Sequence, residues 1–344
     1  MDTNLPAPHR LRIARTTRDR LRRVLTVAGT VVALLALVVV APPMASAQAQ
    51  IDHIVKRTDR WLEVYVQSPA MQRVVQLDVL LPADATTPHP TLYLLDGNGA
   101  DASEGQSTWT LKTDAVSFFS NKPVNVVMPV GGGGTFYTDW LRDDSGLGHN
   151  KWETFLTQEL PPLMDATFHG NGVDGVAGVS MGGQAAMALG FRNPSLYRSV
   201  AAYSGCLFTG SIGQAYVRAA VIERGGNPDN MWGIAVNPQW AAHDVVLHTS
   251  ALKGKSLFVS VATGVPGPAD AANFDPLYSW PTTEAQAVSI EEGAHTCTLA
   301  FDAELRLENI PATMKIYPVG THQWAYWQTP LHDSWPTLAA GLGV

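Results

Sequence analysis

The chain has 344 residues, 46% of them hydrophobic and 15% charged, with 30 Gly, 23 Pro and a formal net charge of −7. Such a composition excludes a disordered chain, a coiled coil and a collagen-like fibre, and the acidic balance argues against a surface that binds nucleic acid. No repeat of 20 to 50 residues is visible, so one large domain is expected.

The charge is unevenly placed. Residues 1–47 carry seven Arg and two acids, a net +5, which leaves −12 for the rest. An uncharged apolar run at 24–40 follows the arginines, and Ala45-Ser46-Ala47 offers an A-x-A cleavage site. This pattern reads as a secretory signal peptide, with a retained anchor as the alternative, and places the domain at 48–344 outside the cytoplasmic membrane, secreted or in the cell envelope. Export in turn makes a disulfide the expectation for the only two cysteines, Cys206 and Cys297.

Along the exported part, residues 73–81 alternate as an exposed or edge strand, the short continuous apolar runs at 91–95 and 124–130 read as further strands, and 173–179, 199–203, 256–262 and 313–317 complete the set. Helical patterns at 152–164, 181–193 and 296–309 lie between several of them. Strands alternating with helices predict an α/β fold: a mainly parallel sheet covered on both faces, with its site at the carboxyl ends of the strands.

Gly178-Val179-Ser180-Met181-Gly182 follows one predicted strand and opens one predicted helix. That is the G-x-S-x-G context of a nucleophile elbow, where glycines relieve a tight strand-to-helix turn and the serine hydroxyl is pushed into the open. A structural turn with an ordinary serine is the bland reading. A serine needs a base and an acid that orients the base. His322 follows the 313–317 strand and a Pro318-Val319-Gly320-Thr321 turn, the position of a base on the last loop of such a sheet. For the acid, the order serine, acid, base leaves Asp270, Asp275, Glu284, Glu291 and Glu292 open. His243, His248 and His295 are too scattered to form a ligand set, so no metal is expected.

Six blocks of the chain resemble the mycolyltransferases of the antigen 85 type. They are Tyr93-Leu94-Leu95-Asp96-Gly97; Val127 to Gly131 with Phe136-Tyr137-Thr138-Asp139-Trp140; Lys151-Trp152-Glu153-Thr154-Phe155-Leu156-Thr157-Gln158-Glu159-Leu160-Pro161; the Ser180 elbow; Asn230-Met231-Trp232-Gly233; and Gly320-Thr321-His322-Gln323-Trp324-Ala325-Tyr326-Trp327. Together they span about residues 60–330. The resemblance implies an α/β-hydrolase fold, Ser180 as nucleophile and His322 as base. It implies a glutamate about thirty residues before the histidine as the acid, which Glu291 fits best and Glu292 one register away. The backbone N–H groups of Asn98 and Met181 would form the oxyanion hole, and Asp96 and Trp324 would line a trehalose site. Implied partners are trehalose mycolate glycolipids and envelope sugar acceptors, with peripheral contact to an outer lipid layer and no cofactor.

Three departures stand beside these matches. Asn98-Gly99 replaces the family's Leu-Arg pair, Gln323 replaces a serine after the base, and the two cysteines are placed differently, as in a more distant branch. Two other readings remain: a secreted carboxylesterase with the same triad, and a non-catalytic envelope-binding or adhesion protein that keeps the fold.

Overall fold

The computed structural model describes residues 48–272 and 280–344. The expected leader and its cleavage site, like the acid candidate Asp275, lie outside the described residues. Nine strands form one sheet: β1 (Gln50–Lys56), β2 (Trp61–Ser68), β3 (Arg73–Leu80), β4 (His89–Leu95), β5 (Asn125–Pro129), β6 (Gly170–Val179), β7 (Tyr197–Tyr203), β8 (Ser256–Ala262) and β9 (Thr313–Tyr317). Their order is β1-β2-β3-β5-β4-β6-β7-β8-β9. From β5 to β9 every neighbouring pair is parallel, whereas β1, β2 and β3 are added antiparallel.

The chain leaves β4 toward β5 on one side and returns to β6 on the other. Such a reversal opens a crevice at the carboxyl ends of β4 and β6, where the 97–99 loop and Ser180 are found. Helices cover both faces, as apolar runs on doubly buried strands require. One core packs Val64, Tyr93, Val127 and Val176 under Leu160, Met187 and Leu189; the other packs Leu92, Leu94, Ala177 and Phe258 under Phe119, Trp327, Leu331 and Leu338.

Two expectations are corrected, and one further element stands where none was expected. Residues 73–80 are not an edge: β3 lies between β2 and β5, and its second half is buried. The strand that shields it, β2, shows a strict two-residue alternation, with Leu62, Val64 and Val66 inward. The helix expected at 296–309 runs from Trp280 to Leu307, so Glu291 sits inside it rather than on the segment before it. A final helix, Trp324–Leu342, was not anticipated because it carries Pro330 and Pro336 in its interior, where proline normally ends a helix.

Candidate active site

Ser180 joins β6 to the helix Met181–Arg192 with φ 55° and ψ −120°, a left-handed conformation that a non-glycine residue adopts only under constraint from its surroundings. The constraint is visible. Ser180 N–H donates to Tyr203 O at 2.7 Å, and Ser180 O accepts from the N–H groups of Gly183 and Gln184 at 3.0 and 3.1 Å. Glycine is required on both sides. A Cβ on Gly178 would lie 2.3 Å from Gly182 O, and one on Gly182 would lie 2.3 Å from Asp96 O.

His322 stands on the loop between β9 and the helix Trp324–Leu342. Its backbone N–H donates to Ala287 O at 3.1 Å, and Gly320 (φ 140°) makes the preceding bend. His322 Nε2 lies 2.7 Å from Ser180 Oγ, and Nδ1 lies 2.7 Å from Glu291 Oε2. Glu291 is fully buried. Its Oε1 accepts from Ser204 Oγ at 2.8 Å and from Ala262 N–H at 2.7 Å. Ser204 Oγ itself accepts from Trp327 Nε1–H at 3.0 Å, so its own proton is directed to Glu291. Both partners of Oε1 are thus donors. An acceptor at Oε2 puts the ring proton of His322 on Nδ1 and leaves Nε2 free to take the proton of Ser180.

The other acid candidates are elsewhere. Glu292 is exposed on the same helix. Glu284 accepts from Gln323 Nε2 at 2.9 Å, and Asp270 accepts from Thr321 Oγ1 at 2.6 Å and from Gly267 N–H at 2.7 Å. Both brace the loop that carries His322.

The backbone N–H groups of Asn98 and Met181 have no acceptor among the described residues. Gly97, just before Asn98, comes within 3.6 Å of Ser180 Cβ by its own would-be Cβ, so the two loops meet beside the serine. The Asn98 side chain is fully engaged: Nδ2 donates to Ala220 O and Glu223 Oε2 at 3.2 and 3.1 Å, and Oδ1 accepts from Gly134 N–H at 3.1 Å. It ties this loop to the helix Ser211–Glu223.

Around Ser180 and His322 lies a cleft of about 490 Å³ whose walls include Tyr216, Glu223, Arg224, Gln286 and Trp324. Trp324 is held edge-on by Trp109 and Trp327, each with ring centroids 5.1 Å away. Asp96 departs from its expected place. It is 1% exposed, is not among the lining residues, and accepts from Ser107 Oγ at 3.0 Å and from the N–H groups of Thr108 and Trp109 at 2.9 and 3.3 Å. Asp96 thus adds to the Ser107 cap of the helix Thr108–Lys112, and burial pushes its pKa up to about 7. Arg224 also lines the cleft and donates to Ala100 O at 3.4 Å.

Sequence reasoning missed Tyr216, Ser204, Glu223 and Arg224. Tyr216 Oη lies 3.4 Å from Ser180 Oγ. Tyr216, Glu223 and Arg224 belong to or adjoin the helix Ser211–Glu223, whose buried Val217, Ala220 and Val221 at helical spacing are the signal that could have found it, and Ser204 lies just after β7 with a left-handed φ of 50°. Cys206 and Cys297 are joined, with Cα atoms 5.0 Å apart. The bond fastens the segment leading into the Tyr216 helix to the helix of Glu291.

Comparison with known proteins finds the family described as "Putative esterase" over residues 68–338. The diacylglycerol acyltransferase/mycolyltransferase Ag85A of Mycobacterium tuberculosis is 30% identical over 286 residues, covering 81% of this chain and 80% of that protein. Ag85B of Mycobacterium intracellulare is 29% identical over 268 residues, covering 74% of this chain and 76% of its own. Among solved structures, Mycobacterium tuberculosis MPT51 superposes with a TM-score of 0.70 at 24% identity, over 83% of this chain and all of that one, a likeness of fold.

Proposed function

The chain belongs to the antigen 85 mycolyltransferases within the esterase family, and from that premise we propose that it moves a mycoloyl chain between envelope sugars through an ester on Ser180. The observation that carries this reading is the continuous path Ser180 Oγ to His322 Nε2 to His322 Nδ1 to Glu291 Oε2, with 2.7 Å at each contact between residues. His322 takes the serine proton as Oγ attacks the ester of a trehalose monomycolate donor, and Glu291 stabilises the imidazolium that forms. The N–H groups of Asn98 and Met181 receive the oxyanion, whose charge exists only in the tetrahedral intermediate. His322 then protonates the departing sugar oxygen. A hydroxyl of a second sugar enters by the same route in reverse, giving trehalose dimycolate or a mycolated envelope acceptor.

Transfer rather than hydrolysis requires the cleft to hold a pyranose against the acyl-enzyme. Trp324 offers a ring for its C–H face, and Glu223, Arg224 and Gln286 offer partners for its hydroxyls. This set replaces the Asp96 contact expected from the family pattern. The acyl substrate and the arginine-rich leader together support a protein exported to the envelope and working at a lipid surface. A fluorophosphonate probe should label Ser180 alone, and Ser180→Ala should lose both labelling and transfer while its thermal melt stays that of the wild type. Labelling at another residue would overturn the nucleophile assignment.

A further inference from the structure

The hydroxyl of Tyr216 is placed where the mechanism above assigns no group. Ser180 Oγ gives its proton to His322 Nε2, so toward Tyr216 Oη, 3.4 Å away, it can only accept. Tyr216 is therefore a donor aimed at the reacting oxygen. Its position relative to the triad is fixed by the helix Ser211–Glu223. Tyr216 and Ala220 are one turn apart and share a face, and Ala220 O is the acceptor of the Asn98 side chain. The same helix supplies Glu223 to the second proton of that amide. Tyr216 thus comes in with the oxyanion loop. His322 reaches Ser180 from the β9 loop and the helix of Glu291, and that is the side on which a leaving oxygen must sit to be protonated.

From this placement we infer that Tyr216 Oη–H is a third donor to the oxyanion, beside the N–H groups of Asn98 and Met181. The inference rests on the Ser180 reading. As Oγ attacks, its proton moves to Nε2, the new Oγ–C bond forms and the carbonyl π pair moves onto oxygen. Tyr216 keeps its proton and shifts its hydrogen bond from Oγ to that oxygen, which lies roughly 2.3 Å from Oγ across the tetrahedral carbon. When the intermediate collapses, the bond to the leaving oxygen breaks and that oxygen takes the proton from His322. A hydrogen bond that is long in the ground state and shortens on charge development accelerates the reaction instead of merely binding substrate. Burial raises the phenol's pKa further above its ordinary value, which keeps the donor protonated.

The test is Tyr216→Phe, which retains the ring packing and removes only the hydroxyl. Active sites are titrated with a fluorophosphonate, and the variant is assayed with a short p-nitrophenyl ester and with a trifluoromethyl ketone, which adds to a serine to form a charged hemiketal. We expect kcat/KM to fall about tenfold to a hundredfold with KM nearly constant, and the ketone Ki to rise by the same factor. An unchanged or faster reaction, or a slower one with an unchanged ketone Ki, would overturn the third-donor role. Failure of the wild type itself to form the ketone adduct at Ser180 would instead overturn the nucleophile reading. If Tyr216→Phe melted well below the wild type, the ketone Ki per titrated site would still decide between the outcomes.

Discussion

Ser204 Oγ donates to Glu291 Oε1 at 2.8 Å from the end of β7, the strand beside the one that carries Ser180. The proposed acid and the proposed nucleophile are therefore positioned by neighbouring strands of one sheet. Glu291→Gln should lower turnover by orders of magnitude, because an amide cannot stabilise the imidazolium and favours the wrong tautomer. Glu292→Gln, on an exposed side chain, should leave turnover within about twofold of the wild type. Ser204→Ala, which leaves Trp327 Nε1–H without its acceptor, should cost about 1–3 kcal/mol of stability and reduce kcat more than it changes KM. Steady-state kinetics and thermal melts of the three variants check this, and equal loss in both glutamate variants would move the acid off Glu291.

Asp96 carries a prediction about pH. Its folded pKa is pushed up to about 7 by burial, while the unfolded group ionises near 3.8. Between those values the folded protein holds a proton that the unfolded chain has lost, so stability falls as pH rises through that window, by up to about 1.4 kcal/mol per pH unit for this group, and levels off above it. Asp174, also raised to about 7, adds a slope of the same sign. Asp96→Asn should flatten the profile without abolishing the slope, as read from denaturant midpoints between pH 4 and 8. Because Asp96 faces the helix Thr108–Lys112 and not the cleft, its asparagine variant should also leave the ratio of sugar transfer to hydrolysis unchanged. A selective loss of transfer would return Asp96 to the acceptor site.

The bond between Cys206 and Cys297 closes a loop of 91 residues, worth about 4–5 kcal/mol in the chain-entropy account. Replacing both cysteines by serine should lower stability by about that amount and loosen the helices of Tyr216 and Glu291 together, so that residual activity falls more steeply with temperature than in the wild type. Peptide mapping without reductant should recover the two cysteines in one cross-linked fragment. Free, alkylatable thiols in the native protein would contradict the pairing.

The candidate catalytic elements were the most legible part of the sequence because their backbone demands are local. Gly178 and Gly182 are needed because a Cβ on either would lie 2.3 Å from a backbone oxygen, and His322 follows a short strand and a glycine turn. For the proposed acid, position along the chain pointed to Glu291 and Glu292 ahead of Asp270, Asp275 and Glu284, and only the resemblance preferred Glu291 to its neighbour. What selects it is which face of one helix meets Ser204 and Ala262. Asp96 was misplaced because a carboxylate after a strand reads alike whether it points into a cleft or caps a helix twelve residues later. The Tyr216 helix and the proline-bearing final helix were illegible for related reasons. The first builds its buried face from Ala220 and the β-branched Val217 and Val221, which signal a helix weakly, and the second forms against proline's local preference because Trp327, Leu331 and Leu338 pack into the core.

The acyl-transfer claim is tested most directly by the fate of the acyl-enzyme. Protein charged from labelled trehalose monomycolate is chased with a range of trehalose concentrations, and acylated sugar is measured against free fatty acid. The account predicts that millimolar sugar captures most of the label despite the excess of water, and that Trp324→Ala diverts it to free acid while hydrolysis of a small p-nitrophenyl ester changes little. Free acid as the main product at every sugar concentration, in wild type and variant alike, would contradict it and make the protein an esterase.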